Sequence, residues 1–163
     1  PGPDGPEYRV VLEKRGPYGE EWAGGRREKV LSLLKEICSI LLERWRESLP
    51  YEEAQERIVK ILEAQGESFS LMKEVYGLST ALRKRGLKED AYCLLNAFER
   101  VYSRRELSTR EKDLLGKCYY KMALEECCSA KRECLERALF YCPGHREARR
   151  LSEAGGGKEE KSE

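Results

Sequence analysis

Five soft metal ligands crowd the C-terminal third of this chain: Cys127, Cys128, Cys134, Cys142 and His145, its only histidine. Thiolates and imidazole are the usual ligands of structural zinc, so these residue types would suit one tetrahedral site. The spacing argues otherwise. No CxxC knuckle is present, and the five positions spread over two helical stretches and a turn, so no metal and no other cofactor is expected. The adjacent Cys127 and Cys128 are also chemically able to bind an arsenical or to oxidise. His145 follows Pro143-Gly144 with neither a second base nor an oriented nucleophile in its pattern, and reads as a cap or turn residue. With no Walker loop, dinucleotide fingerprint or zinc-protease motif in the chain, a non-enzymatic protein is expected.

The other thiols, Cys38, Cys93 and Cys118, lie inside apolar helical patterns. Seven cysteines form an odd set at irregular spacing, which does not read as a secreted disulfide framework. Most are expected to be small buried hydrophobes in a reducing compartment, the cytoplasm or nucleus.

The elements that must position these residues are helical. Charged residues make up 37% and apolar ones 40% of 163 residues, aliphatic β-branched residues are scarce, and Leu, Glu, Lys, Arg and Ala favour helix over strand. A net charge of +1 gives the molecule no general pull towards nucleic acid or membrane. No apolar run approaches the roughly 20 residues that span a bilayer. The chain begins at Pro1 rather than Met, as an excised fragment or a processed chain would.

Three regions are expected. Residues 1–25 hold four of the six prolines and form a breaker-rich segment, either disordered or docked on the helices that follow. Residues 26–153 form the helical domain, and 154–163 a flexible tail. The first helix runs from Arg26 to about Glu47, with Val30, Leu33, Leu34, Ile37, Cys38, Leu41 and Trp45 at spacings of three and four. Pro50 opens a second helix, with Ala54, Ile58, Ile61 and Leu62 as its stripe. A third spans about Phe69 to Arg85 and stops at Gly86, a left-handed cap. The fourth, Lys88 to Tyr102, buries Ala91, Leu94, Leu95 and Phe98. Ser108 or Thr109 caps a fifth, with Glu111 in its first turn. A sixth runs from about Ala130 to Tyr141, and a last short helix from His145 to about Glu153.

The helices repeat. Leu41-Leu42 and Trp45 recur as Leu78-Ser79 and Leu82, then as Leu115-Gly116 and Tyr119, at offsets of 37 and 37. Ala54, Ile58 and Ile61 recur as Ala91, Leu95 and Phe98 at 37, and as Lys131, Leu135 and Ala138 at 40. On these residues the chain resembles the tetratricopeptide repeat family, whose pattern runs W-x2-L-G-x2-Y, then A-x3-F, then P. LGKCYYK at 115–121 matches the first helix of a repeat. Leu135, Ala138 and Pro143 match the end of the second, and HREARRLSEA resembles the helix that closes such arrays.

The resemblance implies an all-α, right-handed solenoid of about three antiparallel helical hairpins plus a C-terminal closing helix. It also implies that Gly116 admits a close partner helix, that Leu115 and Tyr119 fill the groove beside it, and that Cys118 is a small packed neighbour. The first helix of each pair would line a concave groove, where Tyr76, Thr80, Arg83 and Lys84, then Arg110, Lys117, Tyr120 and Lys121, face outward. Those sets are basic and carry tyrosines, which suits an acidic or aromatic peptide. The expected function is a protein–protein interaction scaffold or adaptor.

A clamp for chaperone tails is not expected, because Ser39, Glu43, Thr80 and Asp113 stand at the clamp positions and only Lys117 fits. The alternative is an adaptor for RNA or single-stranded nucleic acid, through Lys131, Arg132, Arg137, Arg146, Arg149 and Arg150. Glu133, Glu136 and Glu147 interrupt that patch.

Overall fold

A computed structural model describes residues 24–66 and 70–162. They form seven helices, with no strand among the described residues: α1 (Gly24–Glu47), α2 (Tyr51–Glu63), α3 (Met72–Lys84), α4 (Lys88–Tyr102), α5 (Thr109–Ala123), α6 (Cys128–Tyr141) and α7 (Arg146–Ser162). The expected segment 1–25 lies outside the described residues except for Gly24 and Gly25, which open α1, and the Phe69 start of the third helix lies outside them as well. α7 continues to Ser162, through the glycines from which a flexible tail is expected.

Two compact units divide at Glu106 and Leu107, inside the span expected as one helical domain. In the first, α1 packs on α2, and both α2 and α3 pack on α4. The apolar stripes meet as their periodicity predicts: Leu34, Ile37 and Leu41 of α1, Ala54, Ile58 and Leu62 of α2, Leu78 and Leu82 of α3, and Ala91, Leu94, Leu95 and Phe98 of α4 are all buried. Each such Leu, Ile or Phe contributes about 1.5–3 kcal/mol relative to exposure. In the second unit α6 packs on both α5 and α7, around Leu115, Tyr119, Met122, Leu135, Ala138 and Ala148.

Local chemistry sets the helix ends. Gly86 takes φ +80 after α3, and its N–H donates to Arg83 O at 3.0 Å while that of Leu87 donates to Leu82 O at 2.9 Å. This is a Schellman stop, and the left-handed turn it needs favours glycine. Ser108 begins α5 with a full capping box: Glu111 N donates to Ser108 Oγ at 3.1 Å, and Ser108 N donates to Glu111 Oε1 at 3.0 Å. Pro50 precedes α2, its carbonyl accepting from Ala54 N at 2.9 Å.

Trp45 departs from the apolar stripe assigned to it. It is 44% exposed, and its indole Nε1–H donates to Asp90 Oδ2 at 3.1 Å. Asp90 is fully buried in α4 and also accepts from Arg44 Nη2 at 2.6 Å. A buried carboxylate needs such donors, since an unpaired charge in the core is expensive. Trp45 therefore satisfies a polar group instead of filling the core. Farther along α4, Asn96 Nδ2 donates to Tyr51 Oη at 3.2 Å and Arg100 pairs with Glu56 at 2.8 Å, tying α4 to α2. Arg105, beyond α4, donates to Gln65 O at 3.2 Å and lies over the Tyr102 ring.

Candidate functional site

The eight residues expected to bind a peptide divide between the units, four on α3 and four on α5. On α3 the inward arc is Met72, Glu74, Val75, Leu78, Ser79 and Leu82, all buried. Tyr76, Thr80 and Arg83 occupy the other side at helical spacing and are half-buried, while Lys84 is exposed. Thr80 Oγ1 donates to Tyr76 O at 2.8 Å, and Ser79 Oγ donates to the same carbonyl at 3.0 Å. The Thr80 hydroxyl proton is thus held by its own helix, which leaves the oxygen to act as an acceptor.

On α5 the buried arc is wider: Leu114, Leu115, Gly116, Cys118, Tyr119, Met122 and Ala123. Gly116 has the role expected of it. A Cβ there would stand 2.8 Å from Cys142 Cβ and 3.0 Å from Ala138 O, so only glycine admits α6 at this distance. Tyr119 is buried, stacked on Tyr141 at 6.3 Å between ring centroids and covered by the Arg137 guanidinium at 5.5 Å.

Arg110 and Lys117 are exposed, and Tyr120 and Lys121 are half-buried. Tyr120 meets the turn between α6 and α7, its ring 4.5 Å from the His145 imidazole at 39°. His145 Nδ1 accepts from Ala148 N at 3.2 Å, so this histidine caps α7 as its place in the sequence suggested. Beside it, burial first and then a hydrogen bond to Asp113 push the Cys142 thiol up in pKa, with Lys117 acting in the opposite direction. A nucleophilic cysteine needs the reverse shift.

Among the described residues, no three His, Cys, Asp or Glu side chains gather closely enough to hold a metal ion. The five soft ligands have separate surroundings: Cys134 is buried in α6, Cys142 bonds Asp113, His145 caps α7, and Cys127 and Cys128 are exposed. Cys38, Cys93 and Cys118 are buried as expected, and desolvation pushes the thiols of Cys38 and Cys93 up to about 12.

The basic C-terminal residues are partly engaged within the protein. Arg137 pairs with Glu133 at 3.7 Å and covers Tyr119, Arg149 donates to Pro143 O at 2.7 Å, and Arg150 pairs with Glu147. Sequence reasoning missed the buried acids Glu74 and Asp90 and the Asp113–Cys142 contact. Asp90 carried a faint signal, an acid one position before the buried Ala91 on a helix.

No helix of the described residues is long and apolar enough to cross a membrane. The chain matches no family model, no curated protein and no solved structure.

Proposed function

We propose that this chain is a non-enzymatic protein-interaction module of the tetratricopeptide-like class, built from right-handed stacked helical hairpins. Its basic, tyrosine-bearing faces, one on α3 and one on α5, each offer a surface for an acidic or aromatic segment of a partner protein. The repetition of helix ends and buried positions at one register carries this reading. α1 ends at Glu47 and α3 at Lys84, 37 residues on; α2 starts at Tyr51 and α4 at Lys88, again 37; α3 starts at Met72 and α5 at Thr109, again 37. Leu41, Leu78 and Leu115 are buried at that spacing, as are Ala54 and Ala91. Helical hairpins repeated in this way leave one face of each first helix outside the core, and function in such proteins lies on that face.

On those faces Lys84 and Lys121 occupy equivalent positions, as do Thr80 and Lys117. Charge-assisted hydrogen bonds from the lysines and Arg83 suit carboxylates, and Tyr76 and Tyr120 offer contact area at low entropic cost. The nucleic-acid reading has less support, because Arg137, Arg149 and Arg150 are engaged with neighbouring groups. A reducing compartment, cytoplasm or nucleus, fits the reading of the thiols.

The test is a peptide array of acidic and tyrosine-rich segments, probed with wild type and with the Lys84→Glu, Lys121→Glu double variant, alongside a single-stranded RNA oligonucleotide. The expected result is peptide binding that the double variant loses while its circular dichroism is unchanged. Equal binding by both proteins overturns the proposal, as does preferential binding of RNA with a steep salt dependence.

A further inference from the structure

One short run of α7 lies outside both proposed faces. Arg149-Arg150-Leu151-Ser152 places guanidiniums three and two residues before a hydroxyl. Ser152 is the one serine or threonine of the chain with arginines at both places. Ser103 and Ser108 have an arginine at the earlier place alone, Arg100 and Arg105. Those arginines are tied across the first unit, Arg100 to Glu56 and Arg105 to Gln65 O. The Ser108 Oγ is moreover occupied as the acceptor of the α5 capping box.

Two guanidiniums at fixed offsets from a hydroxyl form a recognition element for a cleft lined with carboxylates, since each presents a planar fork of donors. Arginine-directed serine/threonine kinases have such a cleft, and select substrates by this charge pattern on an extended strand. Arg149 and Arg150 are both exposed, the Arg150 side chain to 73%. Their contacts are local: Arg149 donates to Pro143 O at 2.7 Å, and Arg150 pairs with Glu147 three residues earlier. Exposed contacts of this kind are weak, so competing carboxylates displace them.

Ser152 is half-buried within a helix, so its hydroxyl must be freed before it can react. The sequence of α7 favours opening from that end. Among its described side chains only Ala148 is fully buried, one turn before Ser152. Gly155, Gly156 and Gly157 begin within one turn after it. Glycine weakens a helix interior more than any residue but proline, because it gives up the most backbone freedom. α7 from Arg149 onward therefore opens at lower cost than the packed helices, while Ala148 keeps the first turn docked on α6.

We propose that Ser152 is a phosphorylation site for an arginine-directed serine/threonine kinase that uses ATP. The bond between the terminal phosphorus and the ADP oxygen breaks, and a P–O bond to Ser152 Oγ forms. The hydroxyl proton passes to the catalytic aspartate of the kinase. The product carries a charge of about −1.5 to −2 at pH 7, close in sequence to Arg146, Arg149 and Arg150. Arg149 stands one helical turn before it, at the i, i+3 spacing that pairs opposite charges. The phosphate thus offsets most of the positive charge at the start of α7 and competes with Pro143 O for the Arg149 guanidinium.

The test is incubation of the full chain with ATP and the catalytic subunit of cyclic-AMP-dependent protein kinase, read by intact mass and fragment mapping. One addition of about 80 Da, a single phosphoryl group, is expected at Ser152. Ser152→Ala should abolish it. Arg150→Ala, which removes an exposed pair alone, should slow the reaction roughly tenfold or more, the loss of one charge-assisted contact. Replacing Gly155, Gly156 and Gly157 together by alanine should slow the full chain while leaving the rate of a synthetic peptide spanning 145–160 unchanged. Phosphate found at Ser103 or Ser108 instead, or a peptide that reacts while the full chain does not, overturns the proposal. Arg150→Ala reacting as fast as wild type overturns the arginine recognition, and an unslowed triple alanine variant overturns the opening of α7.

Discussion

Arg44 offers one guanidinium to two adjacent carboxylates, which makes the effect of burial measurable within one network. Nη1 lies 2.8 Å from Glu89 Oε1, and Nη2 lies 2.6 Å from Asp90 Oδ1. The Glu89 side chain is 64% exposed, and that of Asp90 is 0% exposed. Both acids stand in the first turn of α4, so the helix-dipole contribution is similar and largely cancels in the comparison.

An exposed ion pair contributes about 0–1 kcal/mol. Removing one partner of a buried pair costs about 3–5 kcal/mol, because the other charge is left desolvated. The remaining charge here would be Arg44, whose side chain is only 15% exposed and whose Nε is already buried without a hydrogen-bond partner. Asp90→Ala should therefore destabilise the first unit by about 3–5 kcal/mol and Glu89→Ala by less than about 1.

Urea unfolding followed by circular dichroism measures both. With a slope of about 2 kcal/mol per molar, the Asp90 variant should lose about 2 M in midpoint and the Glu89 variant less than about 0.5 M. Asp90→Asn should fall between them, since it keeps the shape and an acceptor for Trp45. Equal midpoints for the two alanine variants would refute the reasoning, because burial would then not be what distinguishes the carboxylates.

Two further predictions concern the packing glycine and the buried thiols. Gly116→Ala gains about 1 kcal/mol of helix propensity but meets Cys142 Cβ and Ala138 O at 2.8 and 3.0 Å, an overpacking worth about 1–3 kcal/mol. A net loss of about 1 kcal/mol is expected in thermal unfolding, with a larger loss for Gly116→Val; a stabilised alanine variant would contradict the close approach. Cys38 and Cys93 are held at about 12 against 9.0 for a free thiol. Above pH 9 the unfolded chain therefore releases protons that the folded chain keeps. Their contribution to stability is complete below pH 9 and falls as pH rises towards 12, by up to about 1.4 kcal/mol per pH unit for each thiol. Urea midpoints measured from pH 8 to 10.5 should fall, and a Cys38→Ala, Cys93→Ala variant should flatten that slope; an unchanged slope would place the alkaline sensitivity elsewhere.

What the sequence determined by itself is what neighbours along the chain control. Apolar spacing set the helical stripes, Gly86 the left-handed stop, Ser108 with Glu111 the cap of α5, and His145 the cap of α7. Gly116 stood where the tetratricopeptide resemblance implied a close helix partner, and the packing of α6 against it bears that out. The stop at Gly86 and the caps at Ser108 and His145 are each complete within about one helical turn, where backbone geometry fixes who meets whom.

Only the tertiary structure decided which residues meet across long separations. Trp45 reads as core by spacing, but its polar edge answers Asp90, 45 positions away, and the ring stays at the surface as a result. Cys142 meets Asp113 only because α5 and α6 lie side by side at Gly116. Periodicity reports the face on which a side chain lies, while the group opposite it is set by the packing of other helices.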